Sequence, residues 1–127
     1  MESNSTEADG RDSFENEAGR IDNLNVQGWV SVIHCKAGSR RSSHYHKTDE
    51  HTLHVVSGRM WYTERPVGHE GGGVRWMNCP AGSKVHTGPM MEHWTEFPVD
   101  TVLVSVSRLH RTHEQHERDV VRIGWFE

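Results

Sequence analysis

Three of the chain's eleven histidines, His44, His46 and His51, fall inside one short run, and their spacing suits a metal ion. In an extended strand alternate side chains share a face, so His44 and His46 point one way while Tyr45 points the other. Two imidazoles on one face can hold one ion. Neutral imidazole binds iron, nickel, zinc and copper, and a third ligand after a short turn closes a facial set that leaves positions open for substrate. His51 stands in that place, and Glu50 competes for it from one residue earlier. Parity favours His51, which shares a face with Leu53 and Val55, whereas Glu50 falls on the other side.

Such a set needs rigid neighbouring strands, and the surrounding sequence supplies short ones. Valines dominate the aliphatic residues, in brief runs broken by Gly, Pro, Asn and Asp, a texture of strands and turns. Strands are expected at 29–35, 42–46, 51–57, 59–64, 74–79, 84–87, 93–97, 101–107 and 119–126. Tight turns are expected at Lys47–Glu50, at Gly58, at Pro80–Gly82 and at Pro98–Asp100. Only 111–118 reads as a helical turn. No internal repeat is visible, and this many short strands indicate an all-β barrel or double-sheet roll.

The run from Gly38 to Gly58 resembles the first motif of the cupin superfamily. That motif places a glycine, five residues, His-x-His, three or four residues, a glutamate, six residues and a glycine. Here Gly38, His44, His46, His51 and Gly58 keep its spacing, with His51 in the glutamate position. The resemblance implies an all-β, single-domain jelly-roll barrel, the double-stranded β-helix. It also implies one divalent transition metal, and family members with histidine at this position use a three-histidine iron site. A histidine in place of the carboxylate raises the site's charge by one, which favours Fe, Ni, Zn or Cu over oxygen-preferring Mn. The family's second motif fits loosely. Pro80-Ala-Gly82-Ser-Lys-Val-His86 has one residue too many before its histidine, and Pro89-Met-Met-Glu-His93 one too few. His93 is preferred as the last ligand because a strand follows it sooner, and His86 is then a candidate proton shuttle near the substrate. The metal set is therefore His44, His46, His51 and His93.

Further candidates come from strand parity and proximity. Tyr62 and Glu64 share a face of the strand after Gly58, and Tyr62 is taken as the pocket residue. Glu92 and Glu96 flank His93, and Glu92 is taken as a candidate acid or base. His110, His113 and His116 form an HxxHxxH run that reads more simply as a charged surface connector, and His34, His54 and His69 read as structural or exposed. Trp61, Trp76 and Trp94 read as core or interface. The tail and the Pro-Met-Met-Glu-His run also resemble small single-domain cupins grouped with sugar-nucleotide and capsule-biosynthesis proteins.

Composition bounds the rest. A chain of 127 residues with 33% hydrophobic content makes one domain with one core. Glu2, Glu7, Asp9, Asp12, Glu15 and Glu17 outweigh Arg11 and Arg20, so the whole net charge of −4 lies in residues 1–20. These are expected to form an acidic, disordered arm ahead of a barrel over 21–127. A neutral barrel speaks against nucleic acid as a partner. No run approaches the roughly 20 apolar residues of a membrane span, and the N-terminus lacks the marks of a signal peptide. A cytoplasmic setting is expected, with Cys35 and Cys79 as free core thiols. The expected function is that of a small-molecule enzyme, a dioxygenase or an isomerase, epimerase or lyase. A non-catalytic cupin binding a sugar or other small ligand is the alternative, and homodimerisation through a sheet face is expected in either case.

Overall fold

The computed structural model describes residues 5–6, 11–24, 30–68, 73–108 and 118–123. They form twelve strands: β1 (Ser5–Thr6), β2 (Arg11–Asn16), β3 (Gly19–Leu24), β4 (Val30–Cys35), β5 (Ser39–His46), β6 (His51–Ser57), β7 (Arg59–Pro66), β8 (Arg75–Pro80), β9 (Lys84–Thr87), β10 (Met91–Phe97), β11 (Thr101–Ser107) and β12 (Val120–Arg122). Two sheets result, one in the order β1-β2-β3-β4-β11-β6-β9 and one in the order β12-β5-β10-β7-β8. Every pairing is antiparallel. Among the described residues no helix is long and apolar enough to cross a membrane.

Period-two alternation decides which side chains meet between the sheets. Ile33, Cys35, Val55, Val85 and Leu103 come from the larger sheet and Met60, Tyr62, Cys79 and Phe97 from the smaller, as one buried cluster. Burying each of the larger side chains stabilises the fold by about 1.5–3 kcal/mol. Both cysteines are buried and unpaired. Trp61 and Trp76 are exposed on the outer face of the smaller sheet, where Arg40 lies over the ring of Trp94, 5.6 Å from its centroid.

The acidic N-terminal segment, expected to stay outside the body, contributes strands to the larger sheet. β2 and β3 form a hairpin with Phe14 opposite Ile21, and β3 pairs along the whole of β4. Backbone pairing outweighs low apolar content there, because β4 would otherwise present an unpaired edge. Asp22 is buried between Arg20, at 3.2 Å, and His34, at 3.6 Å. At the other end, the strand expected over 119–126 is ordered as Val120–Arg122, paired with β5. Trp29, His69, residues 124–127 and the HxxHxxH run lie outside the described residues, as does all but Arg118 of the helical turn expected at 111–118.

One irregularity matters for the site. Where β10 pairs with β5, His93 faces His44 but Thr95 faces Arg41, so β5 carries an extra residue between these pairs. Such a bulge reverses the inward and outward alternation of everything before it on its strand.

Candidate metal centre

Three histidines converge on the inner face of the smaller sheet. His44 and His46 lie at the end of β5, and His93 sits directly across from His44 on β10. One nitrogen from each lies within 4.8 Å of the others. The rings of His44 and His93 are 4.4 Å apart, and those of His44 and His46 5.0 Å. His46 and His93 are buried, with 1% and 6% of their surfaces exposed. His51, at the start of β6 in the opposite sheet, places its ring 4.2 Å from that of His46 and 6.4 Å from that of His93. It approaches the trio from across the barrel, nearest to His46.

The rings are held from behind. Nδ1 of His93 lies 3.0 Å from the carbonyl of Met91 and Nδ1 of His51 lies 3.2 Å from the hydroxyl of Ser107. Nδ1 of His46 lies 3.3 Å from a carboxylate oxygen of Asp119, close enough for electrostatic attraction though not an aligned hydrogen bond. A partner on Nδ1 sets the tautomer and turns Nε2 toward the ion, which is how outer groups tune a metal site. Asp119 also clasps the turn between β5 and β6. Its carboxylate accepts from the amide and hydroxyl of Thr48, at 2.9 and 2.7 Å, and from the amide of Asp49, at 3.3 Å, while its carbonyl accepts from the amide of Lys47. Asp119→Ala is therefore expected to lower metal affinity by about 10- to 100-fold. Competitive titration against a chelating dye checks this, and Asp119→Asn should restore part of the loss through the turn contacts.

Burial readies His93 for an ion. His93 is pushed down to about 3, first by loss of water and second by the neighbouring charge of His44, against the opposing bond to Met91. It is neutral at physiological pH and needs no deprotonation to bind an ion. The same depression makes the metal-free protein acid-sensitive. Between its ordinary value of 6.5 and about 3, the unfolded chain takes a proton that the folded chain refuses. Stability is then complete above the unfolded value and falls as the pH drops, by up to about 1.4 kcal/mol per pH unit. Urea midpoints of metal-stripped protein should decline over that range, and His93→Gln should flatten the decline.

The other expected site residues divide. Tyr62 lies in the site, its ring 6.1 Å from that of His93 and nearly parallel to it, with its hydroxyl bonded to that of Thr87 on β9. Burial raises its ionisation far above the ordinary range, so it remains a phenol. Glu64 sits across from His93 on β7, 8% exposed, with Arg75 at 3.4 Å. His86 does not join the centre: on β9 Val85 and Thr87 are buried and His86 is exposed, its Nε2 3.0 Å from Glu50 and its Nδ1 3.3 Å from Thr52. Glu50 turns away as well, held at 3.0 Å by Arg108. Glu92 lies on the outer face, paired to Arg65 at 2.6 Å. Asp119 escaped the sequence reading because its partners at Thr48 are 71 residues away.

Three imidazole donors in one cluster, two of them on buried residues, fit a divalent transition ion. No family model and no curated protein matches the chain. Solved structures do. The capsular polysaccharide assembling protein CapF from Staphylococcus aureus superposes with a TM-score of 0.77 at 18% identity, over 91% of this chain and 32% of that one. Bacillus subtilis oxalate decarboxylase, described with Mn(II) centres, gives 0.70 at 18% identity, over 87% of this chain and 29% of that one. Drosophila melanogaster CENP-C, described as bound to CAL1, gives 0.65 at 14% identity, over 76% of both. This chain spans about a third of the CapF and oxalate decarboxylase chains, and at these identities the likeness is one of fold.

Proposed function

Since the chain has the cupin fold, we propose that it is a metal-dependent cupin enzyme acting on a small organic molecule that chelates the ion through oxygens, by oxygenase or by isomerase, epimerase or lyase chemistry. The convergence of His44, His46 and His93 on the inner face carries this reading. A divalent ion there would polarise a substrate oxygen as a Lewis acid. The protein's own residues then handle protons. Tyr62, kept as a phenol and bonded to Thr87, is a donor beside His93. Glu64, on the same inner face, is the facing carboxylate and a candidate acceptor. His51 is a fourth ligand or a wall of the substrate position, oriented by Ser107.

Two neighbours bear on the reading. CapF is described with the inhibitor 3-isopropenyl-tropolone, and a tropolone carries two adjacent oxygens, the donor set such an ion accepts. CENP-C, described as bound to CAL1, shows the same fold in a protein complex, which keeps the non-catalytic binding reading as the alternative. Reconstitution with Co(II) separates them. The enzyme reading expects one equivalent of Co(II) and a change in its visible spectrum when tropolone is added. Failure to restore metal, or a spectrum indifferent to tropolone, would leave the binding reading.

A further inference from the structure

The outer face of the smaller sheet carries tryptophans that the barrel does not use. Strands β8, β7 and β10 lie side by side there, and their register sets the outward side chains in two rows. Thr63 pairs with Trp76 on one side and Trp94 on the other, and two residues earlier Trp61 pairs with Asn78 and Glu96. The rows read Trp-Thr-Trp and Asn-Trp-Glu, so each indole has a hydrogen-bonding side chain as its cross-strand neighbour. Two strand spacings put the backbones of Trp76 and Trp94 about 10 Å apart, and Trp61 lies about 7 Å along its strand from their row.

These rings meet water at a cost. Trp61 is 37% and Trp76 61% exposed, although apolar surface is better removed from solvent. Thr63 points outward between them and is yet only 7% exposed, so the large side chains around it lie down across the sheet. Arg40 closes one edge, over the ring of Trp94.

Area and charge limit what can cover this face. At about 250 Å² for a whole indole side chain, the exposed parts of Trp61 and Trp76 come to roughly 250 Å², about a third of the roughly 800 Å² that each partner of a stable protein complex covers. Acids and bases alternate, Arg40 standing opposite Glu96 and Arg65 pairing with Glu92 at 2.6 Å. A nucleic-acid strand would need a uniformly basic track beside its stacking rings. An uncharged pyranose with equatorial hydroxyls matches the pattern: its C–H bonds face the negative side of an indole, and its rim of hydroxyls meets amide and carboxylate groups. A β-linked chain of such rings extends as a flat ribbon, whereas an α-linked chain coils.

We propose that this face is a glycan-binding platform for a flat, β-linked chain of uncharged sugars, on which Trp61 and Trp76 stack against ring faces while Asn78 and Glu96 bond the hydroxyls between them. The platform lies on the opposite side of the sheet from the three histidines and is independent of the metal centre.

The test titrates the full chain calorimetrically with cellohexaose and chitohexaose, both β-linked, and with α-linked maltohexaose. The wild type should bind at least one β-linked chain, about tenfold or more tighter than maltohexaose and equally well with and without Co(II). Trp76→Ala should weaken that binding about tenfold, the order of one stacked ring, Trp76→Tyr should recover most of it, and Trp61→Ala/Trp76→Ala should abolish it. Thermal melts of Trp76→Ala should match the wild type, since the side chain is mostly in solvent. Failure to bind either β-linked chain would overturn the proposal, as would undiminished binding in the double variant or equal affinity for maltohexaose. Binding that vanished with the metal would move the sugar into the barrel and overturn it too. Self-association of the wild type that the double variant abolished, read by sedimentation, would assign the face to a second copy of the chain instead.

Discussion

Replacing His93 with alanine is expected to lower the affinity for a divalent ion by at least about a hundredfold, since losing even an outer partner of a ligand costs 10- to 100-fold. The residue contributes more than one donor atom. It faces His44 across the strand pair, its Nδ1 is engaged by Met91, and it is held neutral by burial. His44 and His46 alone would leave two neighbouring nitrogens on one strand, with His51 reaching in only from the opposite sheet. The comparison that gives the result meaning is His86→Ala. His86 is exposed on the outer side of β9 and bonded to Glu50 and Thr52, so its loss should leave metal binding within about twofold, the size of an exposed contact's effect. Equal losses in both variants would place the ion elsewhere. Equilibrium dialysis with Co(II) reads both.

Gly58→Ala should produce the largest loss of stability, about 3 kcal/mol or more, and lower the melting temperature by roughly 10 °C. Two penalties combine. Gly58 has a φ of 88°, a region that costs a residue with a Cβ about 1–2 kcal/mol. An added Cβ would also lie 2.4 Å from the carbonyl oxygen of Asp100 and 2.7 Å from the Cα of Thr101, both backbone atoms that cannot swing aside. The Thr101 hydroxyl knots this corner, accepting from the amide of Arg59 and lying within 3.0 Å of the carbonyls of Arg59 and Val99. Gly38, at the other end of the same motif, has a φ of 82° but open space around it. Gly38→Ala should therefore cost only the backbone penalty. Thermal melts of the two variants separate conformation from close approach.

What could be read from the sequence was mostly what strand parity determines. β6, β9 and β11 occupy the residues expected of them, because each is a short β-branched-rich run between clear turns. Parity also placed His44 with His46, and Tyr62 with Glu64, on single faces. It could have separated His93 from His86 too, since Val85 and Thr87 flank His86 in a strand whose inward positions they occupy. Spacing alone could not, because each histidine departs from the expected interval by one residue in opposite directions.

Other features depend on what parity cannot see. Arg41 faces inward because of a register shift between β5 and β10, a property of the pair and of neither strand alone. Asp119 reaches the turn at Thr48 across 71 residues. Glu50 is drawn outward by Arg108, whose backbone amide also bonds the Glu50 carbonyl, so the carboxylate nearest the family's glutamate position is engaged away from the histidines. The acidic N-terminal residues join the larger sheet through main-chain pairing, to which side-chain composition is a poor guide.

The three-histidine centre is tested most directly by X-ray absorption at the metal edge of the protein reconstituted with one equivalent of Co(II) or Zn(II), compared with His44→Ala/His46→Ala/His93→Ala. The wild type should show three or four imidazole nitrogens at about 2.0–2.1 Å, the distance of a nitrogen-ligated ion, and the triple variant should retain no stoichiometric metal. Sulfur scattering near about 2.3 Å, or an unchanged imidazole signal in the triple variant, would contradict the centre described here.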